Sequence, residues 1–172
     1  MFIHIYKDMT IYLKKKQSLQ IDVFNFKCSI GKKGLSKNKI EGDLKTPVGV
    51  FSVENLYYRS DRVEKPITSL KCIKIDKNMG WCDDPLNKEK YNKLIKVNNK
   101  IKHEKLYRKD HKYDLLIPIK YNFAKTIPGK GSCIFIHLTK NYAPTAGCIA
   151  LKKKDLLILL KLIKKNTRIK ID

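Results

Sequence analysis

Long hydrophobic runs are absent from this 172-residue sequence. The most apolar stretch, Leu156–Leu160, is followed at once by Lys161, whereas a membrane-spanning helix needs about 20 apolar residues. Residues 1–13 alternate apolar and polar side chains, so they lack the apolar segment and the small-residue cleavage site of an export signal. The sequence predicts no membrane span and describes either an intracellular protein or a mature fragment without its signal.

Arginine is scarce although the chain is strongly basic. Lys and Arg together number 38 against 16 Asp and Glu, for a formal net charge of +22, but only four of them are arginines. Arginine is the side chain that most often reads DNA bases, and the lysines are spread along the whole chain. We therefore expect a solvated basic surface that favours anionic polymers carrying carboxylates or phosphates, and no specific nucleic-acid partner.

Cysteine pairs at metal-binding spacing are also missing. The five cysteines stand far apart, with no CxxC pair, and the histidines form no HExxH pattern. We therefore expect no structural zinc and no cofactor. A chain of this length does not need disulfides to be stable, so we expect reduced cysteines, of which one is a candidate reactive thiol.

The residues that are present predict a mostly β fold. Strands are expected where apolar and β-branched residues alternate or cluster between polar turns, over Phe2–Tyr6, Ile11–Leu13, Leu19–Cys28, Val48–Tyr58, Lys71–Asp76, Leu115–Tyr121 and Ser132–Leu138. Residues 78–99 predict an irregular segment, which in a compact domain is often functional. Asp155–Lys165 has apolar residues at helical spacing. We expect a single domain over residues 1–172.

A histidine and a cysteine near one another in the sequence suggest nucleophilic catalysis. His137 lies on the strand Ser132–Leu138, and Cys148 follows Gly147 shortly after it. An imidazole within hydrogen-bond reach lowers the pKa of a thiol and holds it ready as a thiolate. Gly147 allows a sharp backbone turn, and the N–H groups around it can form an oxyanion hole. By spacing alone, a small buried cysteine and a core histidine explain the same pattern.

The motifs around these residues resemble those of the YkuD-type L,D-transpeptidases. In that family a His precedes a [ST]-x-G-C motif, here Thr145-Ala146-Gly147-Cys148. The stretch Glu41–Gly49 is similar to the family's E-G-D-x-x-T-P-x-G motif. Further segments are similar to one short-chain branch: Gly80–Pro85, Tyr91-Asn92, His103-Glu104, Arg108, Asp110, Tyr113-Asp114, Tyr121-Asn122 and Gly129–Ser132. The resemblance covers roughly residues 25 to 163.

This resemblance implies a YkuD-like β-sandwich of mixed sheets with a helix after the catalytic cysteine. It also implies that Cys148 attacks a peptidoglycan stem-peptide carbonyl between an L-centre and a D-centre, with His137 as the base and Gly147 in the oxyanion loop. A thioester forms, D-alanine leaves, and an amine or water resolves the thioester. The orienting partner of His137 stays open between a backbone carbonyl and a side chain such as Ser132.

The implied substrate also sets the expected location and partners. Stem peptides serve as donor and acceptor in cell-wall biogenesis, which bears on cell shape. That substrate places the enzyme in the periplasm or cell wall, with the cytoplasm as the alternative because no export signal is visible. We expect a monomer.

Eight residues are expected to hold the substrate: Thr145, Ala146, Arg108, Trp81, Asp83, Asp84, Tyr91 and His103. The stem peptide offers carboxylates and an ammonium, so we expect Arg108 to pair with a carboxylate, and Asp83 or Asp84 to pair with the ammonium. The Trp81 ring is a candidate stacking wall. A structural ion pair for Arg108 and simple core packing for Trp81 remain the alternatives.

Three departures from the commoner family pattern leave the reaction open. The His-to-Cys spacing is short, Ala146 replaces a histidine, and Ala150 replaces an Arg or Asn that often follows the cysteine by two positions. These positions normally shape the site, so the bond that is cut stays open. One alternative is an L,D-carboxypeptidase or endopeptidase that uses the same Cys/His pair. A second is a non-catalytic module that binds an anionic polymer, in which Cys148 is inert.

Overall fold

A large mixed sheet organises the chain. The computed structural model describes residues 9–14, 17–97 and 99–172. Within these residues the chain forms fifteen strands and one helix, with the bounds β1 Thr10–Lys14, β2 Ser18–Ile21, β3 Phe24–Ser29, β4 Leu35–Ser36, β5 Thr46–Pro47, β6 Gly49–Ser52, β7 Leu56–Tyr58, β8 Cys72–Lys74, β9 Met79–Cys82, β10 Leu94–Lys96, β11 His103–Lys105, β12 Leu115–Pro118, β13 Phe135–Leu138, β14 Ile149–Leu151, α1 Lys153–Leu162 and β15 Arg168–Ile171.

Ten of these strands pair in the order β6-β15-β1-β2-β3-β14-β13-β12-β7-β8. Most neighbours are antiparallel, but β13 and β14 run parallel, as do β1 with β15 and β7 with β8. A separate three-stranded antiparallel sheet has β9 between β10 and β11, and β4 pairs with β5. The predicted mostly β fold of mixed sheets, with one helix after Cys148, is confirmed.

Two predicted strands are divided in the structure. Leu19–Cys28 forms the hairpin β2–β3, whose turn contains Asp22 with a left-handed φ of 51°. Val48–Tyr58 divides into β6 and β7, which lie near opposite ends of the large sheet. The alternating pattern identified strand-forming residues but not the points where the chain changes direction. The predicted strand Phe2–Tyr6 lies outside the described residues.

The segment 78–99, predicted as irregular, instead supplies β9 and β10. Trp81 pairs with Leu94 and with Glu104 on the two sides of β9. A Cβ atom on Gly80 would lie 2.7 Å from the His103 ring, so glycine lets β11 approach closely. The strands were missed because they are only three or four residues long and separated by polar turns.

The two faces of β13 pack into two different hydrophobic cores. Ile136 and Leu138 pack in the larger core, together with Leu156 and Leu160 of the helix. Phe135 points the other way, into a second core that contains Trp81 of the three-stranded sheet. The Phe135 and Trp81 rings meet edge to face, with centroids 5.3 Å apart. The small sheet thus packs against the large one beside the strand that carries His137.

No helix in the described residues is long and apolar enough to cross a membrane. Helix α1 begins at Lys153 and ends at Leu162, slightly ahead of the predicted Asp155–Lys165. Its buried stripe contains Leu156, Leu159 and Leu160, as the helical spacing predicted. Asp155 lies in the first turn, where a carboxylate interacts favourably with the helix dipole.

Candidate active site

The parallel pairing of β13 with β14 brings His137 and Cys148 to neighbouring strands. His137 is opposite Ala150 in this ladder, and Cys148 comes directly before the first residue of β14. The Cys148 thiol lies 3.1 Å from the Cys133 carbonyl oxygen, to which it donates. The Phe135 N–H donates to the same sulfur at 3.4 Å. The thiol is therefore held by the backbone of the strand that carries the histidine.

The backbone carbonyl of the next residue holds the His137 ring. Its Nδ1 lies 2.8 Å from the carbonyl oxygen of Leu138. Because a carbonyl only accepts hydrogen bonds, Nδ1 carries the proton, and Nε2 has the lone pair that can accept one. The Ser132 hydroxyl donates to Glu41 at 2.6 Å instead. A backbone carbonyl, rather than the Ser132 side chain, thus orients the imidazole.

Burial keeps both members of the pair neutral. It raises the pKa of the Cys148 thiol to about 12 and lowers the pKa of His137 to about 4. No hydrogen bond joins the His137 ring to the Cys148 thiol in the described part of the chain. The sequence predicted a ready thiolate, but the site holds a neutral thiol because burial disfavours both charged forms.

Two motifs of the sequence, Glu41–Gly49 and Thr145–Cys148, meet at the turn that carries Cys148. The Thr46 hydroxyl donates to the Gly147 carbonyl at 2.8 Å and accepts from the Gly31 N–H at 2.9 Å. Gly147 has a φ of 148°, and a Cβ atom there would lie 2.8 Å from the Lys45 carbonyl oxygen. Only glycine fits this close backbone contact without strain.

Thr145 closes the same turn from within the T-A-G-C motif. Its hydroxyl donates to the Cys148 carbonyl at 2.6 Å and accepts from the Gly147 N–H at 3.1 Å. The Gly147 amide, which the sequence predicted for an oxyanion hole, is therefore already bonded in this structure. Thr145 therefore stabilises the turn through both hydrogen bonds, and it also lines a cavity beside Cys148.

Two clefts meet at Cys148. A cavity of about 210 Å³, the Arg108 cleft, carries the cationic side chains Arg108, Lys112 and Lys140. A second cavity of about 330 Å³, the Asp83 cleft, carries three carboxylates and two ammonium groups, from Glu41, Asp83, Glu104, Lys39 and Lys102. Four residues border both: Glu104, Tyr113, Ala146 and Cys148. A ligand that occupies both cavities therefore passes over the thiol.

Arg108 lies in the wall of its cleft, but its guanidinium already forms ion pairs with two protein carboxylates. The guanidinium donates to both carboxylate oxygens of Asp110, at 2.9 and 2.8 Å, and to Glu104 at 2.8 Å. It also lies over the Tyr113 ring, 4.9 Å from the centroid. The prediction that Arg108 pairs freely with a substrate carboxylate is therefore not met in this structure, because two protein carboxylates occupy it.

Trp81 and Tyr91 are buried in the structure rather than set in a cleft wall. Trp81 is 3% exposed and its indole donates to Asn92 at 3.0 Å, so the expected stacking wall is a core residue. Tyr91 is fully buried, and its hydroxyl bonds to Glu41. Neither side chain lines the two clefts, although Tyr91 contacts the Asp83 cleft indirectly through Glu41.

The remaining predicted binders divide between the site and the surface. Asp83 lines the Asp83 cleft, where burial raises the pKa of its carboxyl group. Asp84 instead accepts from the Leu86 N–H and stabilises a turn away from both clefts. His103 packs on Gly80, and its Nδ1 bonds to the Ile101 carbonyl at 2.6 Å. In residues 9–14, 17–97 and 99–172, no three His, Cys, Asp or Glu side chains converge as metal ligands.

Sequence reasoning did not single out two residues that border the thiol. Tyr113 packs edge-on against the His137 ring, with centroids 5.3 Å apart, and separates the two clefts. Lys39 is only 4% exposed and lines the Asp83 cleft. Tyr113 had a signal, since it belongs to a matched segment. Lys39 precedes the E-G-D motif by two residues, and nothing local distinguishes it from the many surface lysines.

Comparison with protein families identifies the family of the chain. The family model YkuD, an L,D-transpeptidase catalytic domain, matches residues 2–171. The chain therefore belongs to the YkuD L,D-transpeptidase family. No curated protein matches it.

Two solved structures are similar to this chain. One is the helical cell shape determining protein Pgp2 from Campylobacter jejuni, with 19% identity and a TM-score of 0.51 over 95% of this chain and 47% of that one. The other is a point mutant of the same protein, with 18% identity, a TM-score of 0.49, and coverage of 95% and 46%. The chain spans about half the length of these structures, and at this identity the likeness concerns the fold alone.

Proposed function

We propose that this chain is a cysteine-dependent L,D-transpeptidase acting on peptidoglycan stem peptides. The observation that carries the proposal is the position of Cys148 at the junction of two clefts. A transpeptidase must bring two peptides, a donor and an acceptor, to one nucleophile. Membership of the family makes the stem peptide the expected substrate, and the site supplies one cavity on each side of the thiol.

The chemistry follows from the protonation states of the pair. The thiol proton passes to Nε2 of His137 as the sulfur attacks the donor carbonyl, whose π electrons move to its oxygen. Collapse of this intermediate breaks the C–N bond, and the imidazolium returns the proton to the leaving amine, so D-alanine departs and a thioester remains. An acceptor amine then attacks the thioester and gives its proton to His137. The C–S bond breaks, and the imidazolium returns this proton to the leaving thiolate, which restores the thiol and neutral His137.

The two clefts differ in charge, which suggests how the peptides are placed. Lys112 and Lys140 make the Arg108 cleft cationic, which suits the carboxylates of a donor stem. Glu41 and Asp83 line only the other cleft, where a carboxylate attracts the ammonium of an acceptor. Thr145 and Ala146 line the Arg108 cleft beside the thiol. With Ala146 in place of a larger side chain, the passage between the clefts stays open.

The test is intact-protein mass spectrometry after incubation with a disaccharide-tetrapeptide, combined with product analysis. We expect an acyl adduct on the wild type and cross-linked dimers among the products. Cys148→Ala should form neither, while Cys72→Ala, which removes a cysteine outside both clefts, should behave as wild type. D-Alanine release without dimers would replace the transferase with an L,D-carboxypeptidase. Absence of adduct and product with tetra-, penta- and tripeptide donors would refute both enzymes.

The location and organisation belong to the same proposal. A stem-peptide substrate places the enzyme in the periplasm or cell wall, and the cytoplasm would suit a hydrolase of recycled fragments. We propose that residues 1–172 act as one catalytic domain and as a monomer, because both clefts and the Cys/His pair lie within this chain. Size-exclusion chromatography with light scattering checks the monomer.

A further inference from the structure

A buried lysine lies beside the catalytic turn. Lys39 is 4% exposed, which is unusual for a side chain with a charged end. Its Nζ donates to Asp43 at 2.7 Å and makes no other hydrogen bond within the described part of the chain. The Asp43 carboxylate is itself fixed by the N–H groups of Ile40 and Lys45, each at 2.9 Å. The ammonium is therefore held in one place by a rigid partner.

Two glycines make room for this side chain. A Cβ atom on Gly131 would lie 2.9 Å from Lys39 Cε, so a larger residue there would displace the lysine stem. A Cβ atom on Gly147 would lie 3.5 Å from Nζ, which places the ammonium against the residue before Cys148. The lysine thus runs from the loop at Gly131 to the nucleophile turn, along the wall of the Asp83 cleft.

The position of the Lys39 ammonium matters because its charge acts on the Cys148 thiol. The charges of Glu104 and Lys39 act on the Cys148 thiol in opposite directions: Glu104 raises its pKa and Lys39 lowers it. The uncharged neighbours are Tyr113, Cys133 and neutral His137. The positive charge of Arg108 is balanced by the carboxylates of Glu104 and Asp110. A thiol in so buried a site needs a nearby positive charge to become a nucleophile.

We propose that Lys39 is a positioning residue of the active site, a fixed ammonium that stabilises the negative charge formed on Cys148 sulfur. The proposal rests on Cys148 being the nucleophile. When the thiol proton moves to Nε2 of His137, the Lys39 ammonium gains an attractive interaction with the thiolate. Asp43 keeps the ammonium in place, and the E-G-D motif thereby acts on the cysteine from a distant part of the sequence.

Thiol alkylation tests this without any peptidoglycan substrate, so the result does not depend on which substrate is correct. The rate of iodoacetamide modification at Cys148 is followed by peptide-resolved mass spectrometry from pH 6 to 9. We expect Lys39→Met, which keeps the stem and removes the charge, to be about tenfold slower than wild type across this range. The matched control is Lys102→Met, on the rim of the same cleft and 69% exposed, which should stay within about twofold because solvent screens such a charge.

A second comparison separates charge from folding. Lys39→Met leaves Asp43 without its ammonium partner, which itself destabilises a partly buried carboxylate. The double variant Lys39→Met/Asp43→Asn removes that penalty and is compared with Asp43→Asn alone. The double variant should be alkylated about tenfold more slowly than the single one. Equal rates in this pair, or equal slowing by Lys102→Met and Lys39→Met, would overturn the proposal.

Discussion

Acidification should destabilise the folded chain through His137. Burial lowers the pKa of this ring from 6.5 to about 4, so between these values the unfolded chain binds a proton that the folded chain does not. The free energy of unfolding therefore falls as the pH decreases through this range, and is unaffected by His137 above it. At about 1.36 kcal/mol per pH unit, the loss reaches about 3 kcal/mol near pH 4.

Urea unfolding at a series of pH values from 7 to 4 measures this loss. His137→Gln cannot take up the proton, so its stability should decline about 3 kcal/mol less than that of wild type over the range. His111→Gln, which changes an exposed histidine, should follow the wild-type curve. Cationic partners lower the carboxyl pKa values of Asp43 and Asp110. Because all three proteins contain both groups, their contribution to the loss of stability cancels when the curves are compared. Parallel curves for wild type and His137→Gln would refute the reasoning.

Two further substitutions test the turn that carries Cys148. Thr46→Val removes the hydroxyl that serves both Gly31 and Gly147, so urea unfolding should show a loss of about 2–4 kcal/mol from two buried unpaired backbone groups. Thr167→Val, a buried threonine that accepts from one amide, should lose less, and equal losses would argue against the double role. Gly147→Ala should abolish Cys148 acylation in the mass assay, because its Cβ would lie 2.8 Å from the Lys45 carbonyl oxygen. Wild-type acylation in Gly147→Ala would contradict this account of the turn.

The sequence predicted best the features that depend on residues close together along the chain. The alternation around His137 predicted the strand that contains β13, since alternate side chains of a strand point to opposite sides. The spacing of Leu156, Leu159 and Leu160 predicted the helix stripe for the corresponding reason. The T-A-G-C motif marked the turn before β14 because its residues contact one another locally.

Properties set by distant neighbours were not predictable. Trp81 looks the same in sequence whether it lines a cleft or fills a core, and its burial depends on Phe135, more than fifty residues away. The partners of Arg108 lie within four residues, but only their geometry reveals that both bind it at once. The thiolate predicted from the Cys148 and His137 pair depended on solvent access, which spacing does not encode.

The parallel ladder between β13 and β14 uncouples the distance along the chain from the distance in space. His137 and Cys148 are set by strand pairing, in which Ile136 faces Ile149, and not by the loop that joins the strands. Asn141 and Tyr142 in that loop both adopt left-handed backbone angles, with φ of 52° and 56°, so the connection is already folded tightly. The length of this loop can therefore change without moving His137 relative to Cys148. Because Ala143 and Pro144 of the loop line the Arg108 cleft, such a change would alter the wall of that cleft, and so the shape of what binds there, while leaving His137 and Cys148 in place.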